Sequence, residues 1–191
     1  MKVLVGGEFS GNVRDAFLVR GHEAISCDLL PSERPGPHYQ GDVRDLLQGD
    51  FDLFVVFPPC KYLCSSGLHW NGRIPGRVEK TKRALHFVKE LLAAPIERIA
   101  LENPKGRIGT AIRKADQWIQ PWQFGHPEAK QTGLWLKNLQ PLKPTKILPL
   151  PDTGRWANQT PSGQNKLTSA RFRERAITYP GIAEAMAEQW G

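Results

Sequence analysis

Long apolar runs are missing from this chain. No stretch approaches the ~20 residues that cross a bilayer, so neither a helical membrane span nor a membrane partner is expected. Cysteine is scarce: Cys27, Cys60 and Cys64 are the only three. An odd, low count makes no disulfide framework and points to free thiols in a reducing, cytoplasmic compartment. Cys60 and Cys64 have a separation found in some zinc sites, but no second Cys/His pair follows at matching spacing, so no metal is expected. The opening Met1-Lys2-Val3-Leu4-Val5 runs straight into Gly6-Gly7. That apolar region is too short for a signal peptide and reads as a first strand. Internal repeats are absent.

Acidic residues are in deficit, 19 against 26 Lys and Arg, for a net charge of +7. The shortage is uneven. From Lys130 to Arg175 the only acids are Asp152 and Glu174, among Lys130, Lys137, Lys143, Lys146, Arg155, Lys166, Arg171, Arg173 and Arg175. This reads as a basic face suited to a polyanion such as nucleic acid. Residues 141–178 form an irregular basic segment within a single domain spanning 1–191.

What is present is a series of short buried strands. Leu53-Phe54-Val55-Val56-Phe57 is continuously apolar and is closed by Pro58-Pro59, which fits a central parallel strand better than a helix turn. Each proline fixes φ and lacks an N–H, so the ladder stops there. Cys60 is thereby held at the carboxyl end of a central strand, where ligands bind in open α/β sheets. A thiolate is a strong nucleophile that also leaves readily.

The same logic runs along the chain. Lys2–Val5 leads into Gly6-Gly7-Glu8-Phe9-Ser10-Gly11 and a helix with Val13, Ala16 and Phe17 on one face. Strand, glycine-rich turn and helix open a nucleotide-binding unit, with free N–H groups at the helix start. Glu23–Asp28 is a second strand whose terminal Asp28 is placed for ribose hydroxyls. Residues 29–40, with Pro31, Pro35, Gly36 and Pro37, read as a loop, and Asp42 follows a very short third strand. Lys61–Arg77 is an irregular loop in which His69 and Trp70 either touch a base or pack the loop down. Val78–Ala94 is the clearest helix, with Ala84, Leu85, Val88, Leu91 and Leu92 on one stripe. Arg98–Leu101 is another strand, delivering Glu102-Asn103-Pro104. A right-handed crossover would bring Glu102 beside Cys60. Beyond it, residues 110–119 read as a helix with Ile112, Ala115 and Ile119 inward, Thr132–Leu136 as an antiparallel edge strand, and Ile182–Gln189 as a terminal helix. The fold expected is α/β, a Rossmann-like, mostly parallel sheet with helices on both faces.

Phe9-Ser10-Gly11, Pro58-Pro59-Cys60 and Glu102-Asn103 together resemble the DNA cytosine-5 methyltransferase family, in particular its short phage- and prophage-type members. Tyr179-Pro180-Gly181-Ile182-Ala183 extends the likeness to those short proteins over most of the chain, and the likeness to full-length enzymes covers roughly residues 1–104. The resemblance implies a class I methyltransferase sheet that binds S-adenosylmethionine and acts on DNA. Phe9, Ser10, Gly11 and Pro58 would line the cofactor, with Asp28 on its ribose and Asp42 near its adenine. Cys60 would attack C6 of cytosine, Glu102 would hold the N3/N4 edge, and Asn103 would fix local backbone. Lys61, Arg171, Arg173 and Arg175 would contact nucleic acid. Lys61 stands where the family usually has Gln, and Lys130-Gln131-Thr132 is a loose stand-in for its paired arginines. The chain has no room for the family's large target-recognition region, so recognition would fall to an accessory protein or an oligomer. Two alternatives share these residues: transfer of another one-carbon group, such as hydroxymethyl, to pyrimidine C5, or a non-catalytic nucleic-acid binder on the same fold.

Overall fold

The computed structural model describes residues 1–162, 166 and 172–191. Seven strands form one sheet: β1 (Lys2–Gly6), β2 (Glu23–Asp28), β3 (His38–Gln40), β4 (Leu53–Val56), β5 (Arg98–Asn103), β6 (Gln117–Ile119) and β7 (Thr132–Lys137). Their spatial order is β3-β2-β1-β4-β5-β7-β6. The first five run parallel to one another, and β7 runs antiparallel to both β5 and β6. Among the described residues the α-helices are α1 (Asn12–Val19), α2 (Ser65–Leu68), α3 (Arg77–Leu92), α4 (Ile108–Ala111), α5 (Phe172–Ala176) and α6 (Pro180–Trp190).

Strand side chains alternate between two cores. Val3, Val5, Leu53, Val55 and Ala100 face α1 and α6, meeting Val13, Phe17, Ala183, Met186 and Trp190. Leu4, Phe54, Val56, Ile99 and Leu101 face Val88 and Leu91 of α3. Both sheet faces are covered, which is why β1 and β4 read as unbroken apolar runs. Each such buried side chain contributes roughly 1.5–3 kcal/mol over an exposed one. The α/β, Rossmann-like expectation holds.

Several local expectations do not. Residues 110–119 are not a helix. The single turn of α4 ends at Ala111, and Gln117–Ile119 form β6, outside β7. Side-chain bonds set this path. Asp116 accepts from Leu136 N–H at 2.7 Å, the Trp135 indole donates to Arg113 O at 2.8 Å, and Gln117 bonds both backbone groups of Leu142. Consequently β7 is the second strand in, not the edge. The loop after β2 ends in β3 at His38, and α5 lies inside the segment expected to be irregular throughout. Among the described residues no helix is long and apolar enough to cross a membrane.

Candidate active site at the carboxyl edge of the sheet

Strand order reverses between β1 and β4, and the crevice beyond their carboxyl ends is the usual ligand position in such sheets. The two exits are tied together: Phe57 N–H donates to Gly6 O at 2.9 Å. Gly7 has φ +71°, and a Cβ there would lie 2.4 Å from Phe57 O. Only glycine lets the chains pass this closely.

On the β4–β5 side, Pro58-Pro59-Cys60 and Glu102-Asn103 leave adjacent strands. Asn103 is buried, and its Nδ2 donates to Pro58 O at 2.8 Å. One hydrogen bond thus fixes the approach to Cys60 from the neighbouring strand. Asn103 Oδ1 is buried without a partner among the described residues. Glu102, one residue earlier, is only partly exposed and accepts from the Thr132 hydroxyl of β7. Burial pushes its carboxyl up to about 7, against the pull of the Lys130 ammonium. Burial lowers Lys130 in turn, while Glu102 and Cys60 act to raise it. Lys130 Nζ donates to Arg175 O at 2.6 Å and lies 5.4 Å from the Tyr179 ring centroid.

Cys60 does not stand alone. It begins a tight turn in which Leu63 and Cys64 N–H both donate to Cys60 O at 2.9 Å, so the two cysteines share one turn. Cys64, burial and Glu102 all push the Cys60 thiol up. Cys64 is held well below the usual thiol range by the Cys60 thiol, the Ser66 hydroxyl at 3.3 Å and the Gly67 N–H. The turn is clamped onto the chain leaving β5. Arg107 N–H donates to Leu63 O at 2.8 Å and Ser65 N–H to Lys105 O at 2.9 Å. Gly106 packs so tightly that a Cβ would lie 1.9 Å from Leu63 O.

On the β1–β2 side the glycine turn is filled by its own acid. Buried Glu8 accepts from Val13 N–H at 2.6 Å and Arg14 N–H at 3.1 Å. These N–H groups at the start of α1, expected to be free for a ligand, are therefore already taken. Arg14 is fully buried. It bonds Asp15, Ser26, Ser32 and the carbonyls of Arg34 and Pro35, fastening the loop after β2 to α1. Phe9 and Ser10 are buried, and Gly11 caps α1 with φ +78°. Asp28 ends β2 partly exposed, with Oδ1 accepting from Leu30 N–H at 2.9 Å. Asp42 caps the turn after β3 and accepts from Arg44 N–H and Nη1, both at 3.0 Å.

The candidate nucleic-acid residues are scattered. Arg171 lies outside the described residues. Arg173 pairs with Glu33 at 3.2 Å and stacks 5.4 Å from the Phe9 ring centroid. Arg175 faces the other way, close enough to lower Cys60. Lys61 is exposed beside Tyr62, which Arg77 and Lys80 also approach. Trp70 lies tilted at 42° against His69, ring centroids 4.7 Å apart, and the residue is 43 % exposed.

The structure therefore gathers Cys60, Glu102, Asn103 and Pro58 at one edge and sets Phe9, Ser10, Gly11 and Asp28 at the next. Sequence reasoning missed Thr132 and Lys130 as partners of Glu102, and Glu8 as the plug of the glycine turn. For Glu8 a signal existed, an acid just ahead of a helix start. No family model matches this chain, and no curated protein does. Among solved structures, WbdD, in a low-resolution structure with its C-terminal bundle ordered to residue 505, is similar at 15 % identity and a TM-score of 0.36. The match covers 92 % of this chain and 37 % of WbdD, and a likeness this slight carries no argument.

Proposed function

We propose that the protein transfers a methyl group from S-adenosylmethionine to C5 of cytosine in DNA, through a transient bond between Cys60 and C6. The observation that carries this reading is the pairing of the Cys60 exit with the Glu102 exit, locked by the Asn103–Pro58 bond. A cysteine nucleophile and a carboxyl group with a proton available near neutral pH are the two groups this chemistry needs.

The residues divide the work as follows. Cys60 passes its proton to Cys64 as its sulfur bonds to C6. Negative charge then builds at N3, where the Glu102 carboxyl donates its proton, while its other oxygen accepts from the exocyclic amine. Lys130 offsets the carboxylate that remains. Asn103 and the Gly106 clamp keep the Cys60 turn in place. Once C5 has taken the methyl group, its proton passes to solvent water, the freed electron pair expels the Cys60 sulfur as thiolate, N3 returns its proton to Glu102, and Cys60 recovers its proton from Cys64.

The β1–β2 side suits a cofactor without phosphates, because Glu8 already occupies the helix N–H groups. Phe9, Ser10, Gly11 and Pro58 would line S-adenosylmethionine, Asp28 would accept from its ribose hydroxyls and Asp42 would lie by the adenine. Bound there, it supplies an electrophilic methyl group. The Arg173 side chain, itself 59 % exposed, would have to leave the face of Phe9. A duplex substrate must flip its base to reach Cys60. Lys61 and Arg175 would meet its phosphates, and an accessory protein or a second copy would supply target recognition. Three free thiols suit a cytoplasmic setting.

The test is intact-mass trapping with S-adenosylmethionine and an oligonucleotide carrying 5-fluorocytosine. Fluorine cannot leave C5 as a proton, so the complex should stay on the protein. A cofactor-dependent adduct that vanishes in Cys60→Ser is expected. An adduct that survives Cys60→Ser, or no adduct on single- or double-stranded DNA despite cofactor binding, would overturn the reading.

A further inference from the structure

The transfer chemistry needs one cysteine, yet the turn after β4 holds two. Cys60 and Cys64 are four residues apart on a hydrogen-bonded turn. Side chains at this spacing lie on the same face, with Cβ atoms about 5–6 Å apart. A disulfide wants about 3.8 Å, so closure asks roughly 1–2 Å of the turn. Only the Leu63 and Cys64 bonds to Cys60 O hold the turn internally. Both thiols are partly exposed, whereas Cys27 is buried. Cys27 also bonds Gly41 O and is pushed up to about 12 by burial and nearby aspartates.

We infer that Cys60 and Cys64 form an oxidisable dithiol, a modification site that a hydroperoxide converts to an intramolecular disulfide. The Cys64 sulfur attacks the distal oxygen of the peroxide. The O–O bond breaks, Cys64 becomes a sulfenic acid, and the remaining oxygen leaves with a proton as water or alcohol. The Cys60 sulfur then attacks the sulfenic sulfur, forming the S–S bond and releasing water. Two thiols are oxidised and one peroxide is reduced. Cys64 is fitted to react first, since Ser66 and Gly67 support its thiolate. Cys60 is fitted to resolve, since the Cys64 N–H donates to its carbonyl and keeps both residues on one turn. Should Cys60 also be the transfer nucleophile, the disulfide would silence it, and that clause alone rests on the function proposed above.

The test treats the full chain with one equivalent of hydrogen peroxide and maps peptides without reduction. A Cys60–Cys64 linked peptide, reversible by dithiothreitol, is expected. Both thiols should be lost at least about tenfold faster than Cys27. Cys27→Ser should form the same link undiminished, and Cys64→Ser should leave Cys60 without one. Persistent sulfenic acid trapped by dimedone in the wild-type chain, a link through Cys27, or disulfide dimers would overturn the inference. The readout is a peptide mass, so it stands whatever the trapping experiment shows.

Discussion

At the β1–β2 end of the sheet, Glu8, Ser10 and Arg14 are buried and bonded to each other or to neighbouring backbone. At the β4–β5 end, the buried groups are poorly served. Asn103 Oδ1 has no partner among the described residues, Glu102 is raised and Lys130 is lowered, both by burial. Burial raises Glu8 too, but bonds from Val13, Arg14 and Ser10 act against it. One fold thus builds a hydrogen-bonded support and an electrostatically costly site along the same edge. Polar groups buried at a cost are a mark of sites that wait for a ligand.

The sharpest break of this contrast is Arg14→Met. It removes the buried cation that bonds Ser32 and the Arg34 and Pro35 carbonyls of the 29–37 loop and leaves those partners unserved, so a loss of about 3–5 kcal/mol in urea unfolding is expected. A change under 1 kcal/mol would put the two ends on the same footing. Glu102→Gln should act in the opposite direction. The folded carboxyl is raised, so the native state binds its proton more tightly than the unfolded chain. Stability then falls as pH rises from the ordinary carboxylate range through 7. The variant should gain roughly 2–3 kcal/mol on the wild-type chain between pH 5 and pH 8, read from unfolding midpoints at both. A pH-independent difference would remove the claim that this end is costly.

Asn103→Ala should cost about 1–3 kcal/mol, the price of an unpaired Pro58 carbonyl, and should speed Cys60 alkylation by loosening the turn. An unchanged alkylation rate would show that the bond does not hold Cys60. Arg173→Ala should cost under about 1 kcal/mol, because its ion pair with Glu33 is exposed. It should also tighten cofactor binding measured by calorimetry by uncovering Phe9.

Legibility in the sequence follows the same division. β1, β4, β5 and α3 were readable because burial on both sheet faces, or on one helix stripe, writes itself into local apolar pattern. β6 was not, and β3 was expected only as a very short strand ahead of Asp42, without its residues. Each has three residues at an edge, and Trp118 of β6 is exposed, so no period survives. The spacing of Ile112, Ala115 and Ile119 mimicked a helix that Asp116 and Gln117 cancel through bonds to Leu136 and Leu142. At the site, Cys60 and Glu102 stood out because each ends a strand. The Glu102–Thr132 and Asn103–Pro58 contacts span 30 and 45 residues, and no local window contains them.

The packing of α6 against α1 has a kinetic corollary. Ile182, Ala183, Met186 and Trp190 close the core that Val3, Val5, Val13 and Phe17 open, and Trp190 O anchors Arg98 beside β5 at 3.2 Å. Strand β1 and helix α6 are therefore partners although far apart in sequence. Until α6 docks, that side of the sheet is covered by α1 without its neighbour, so completing this core waits on a long loop closure.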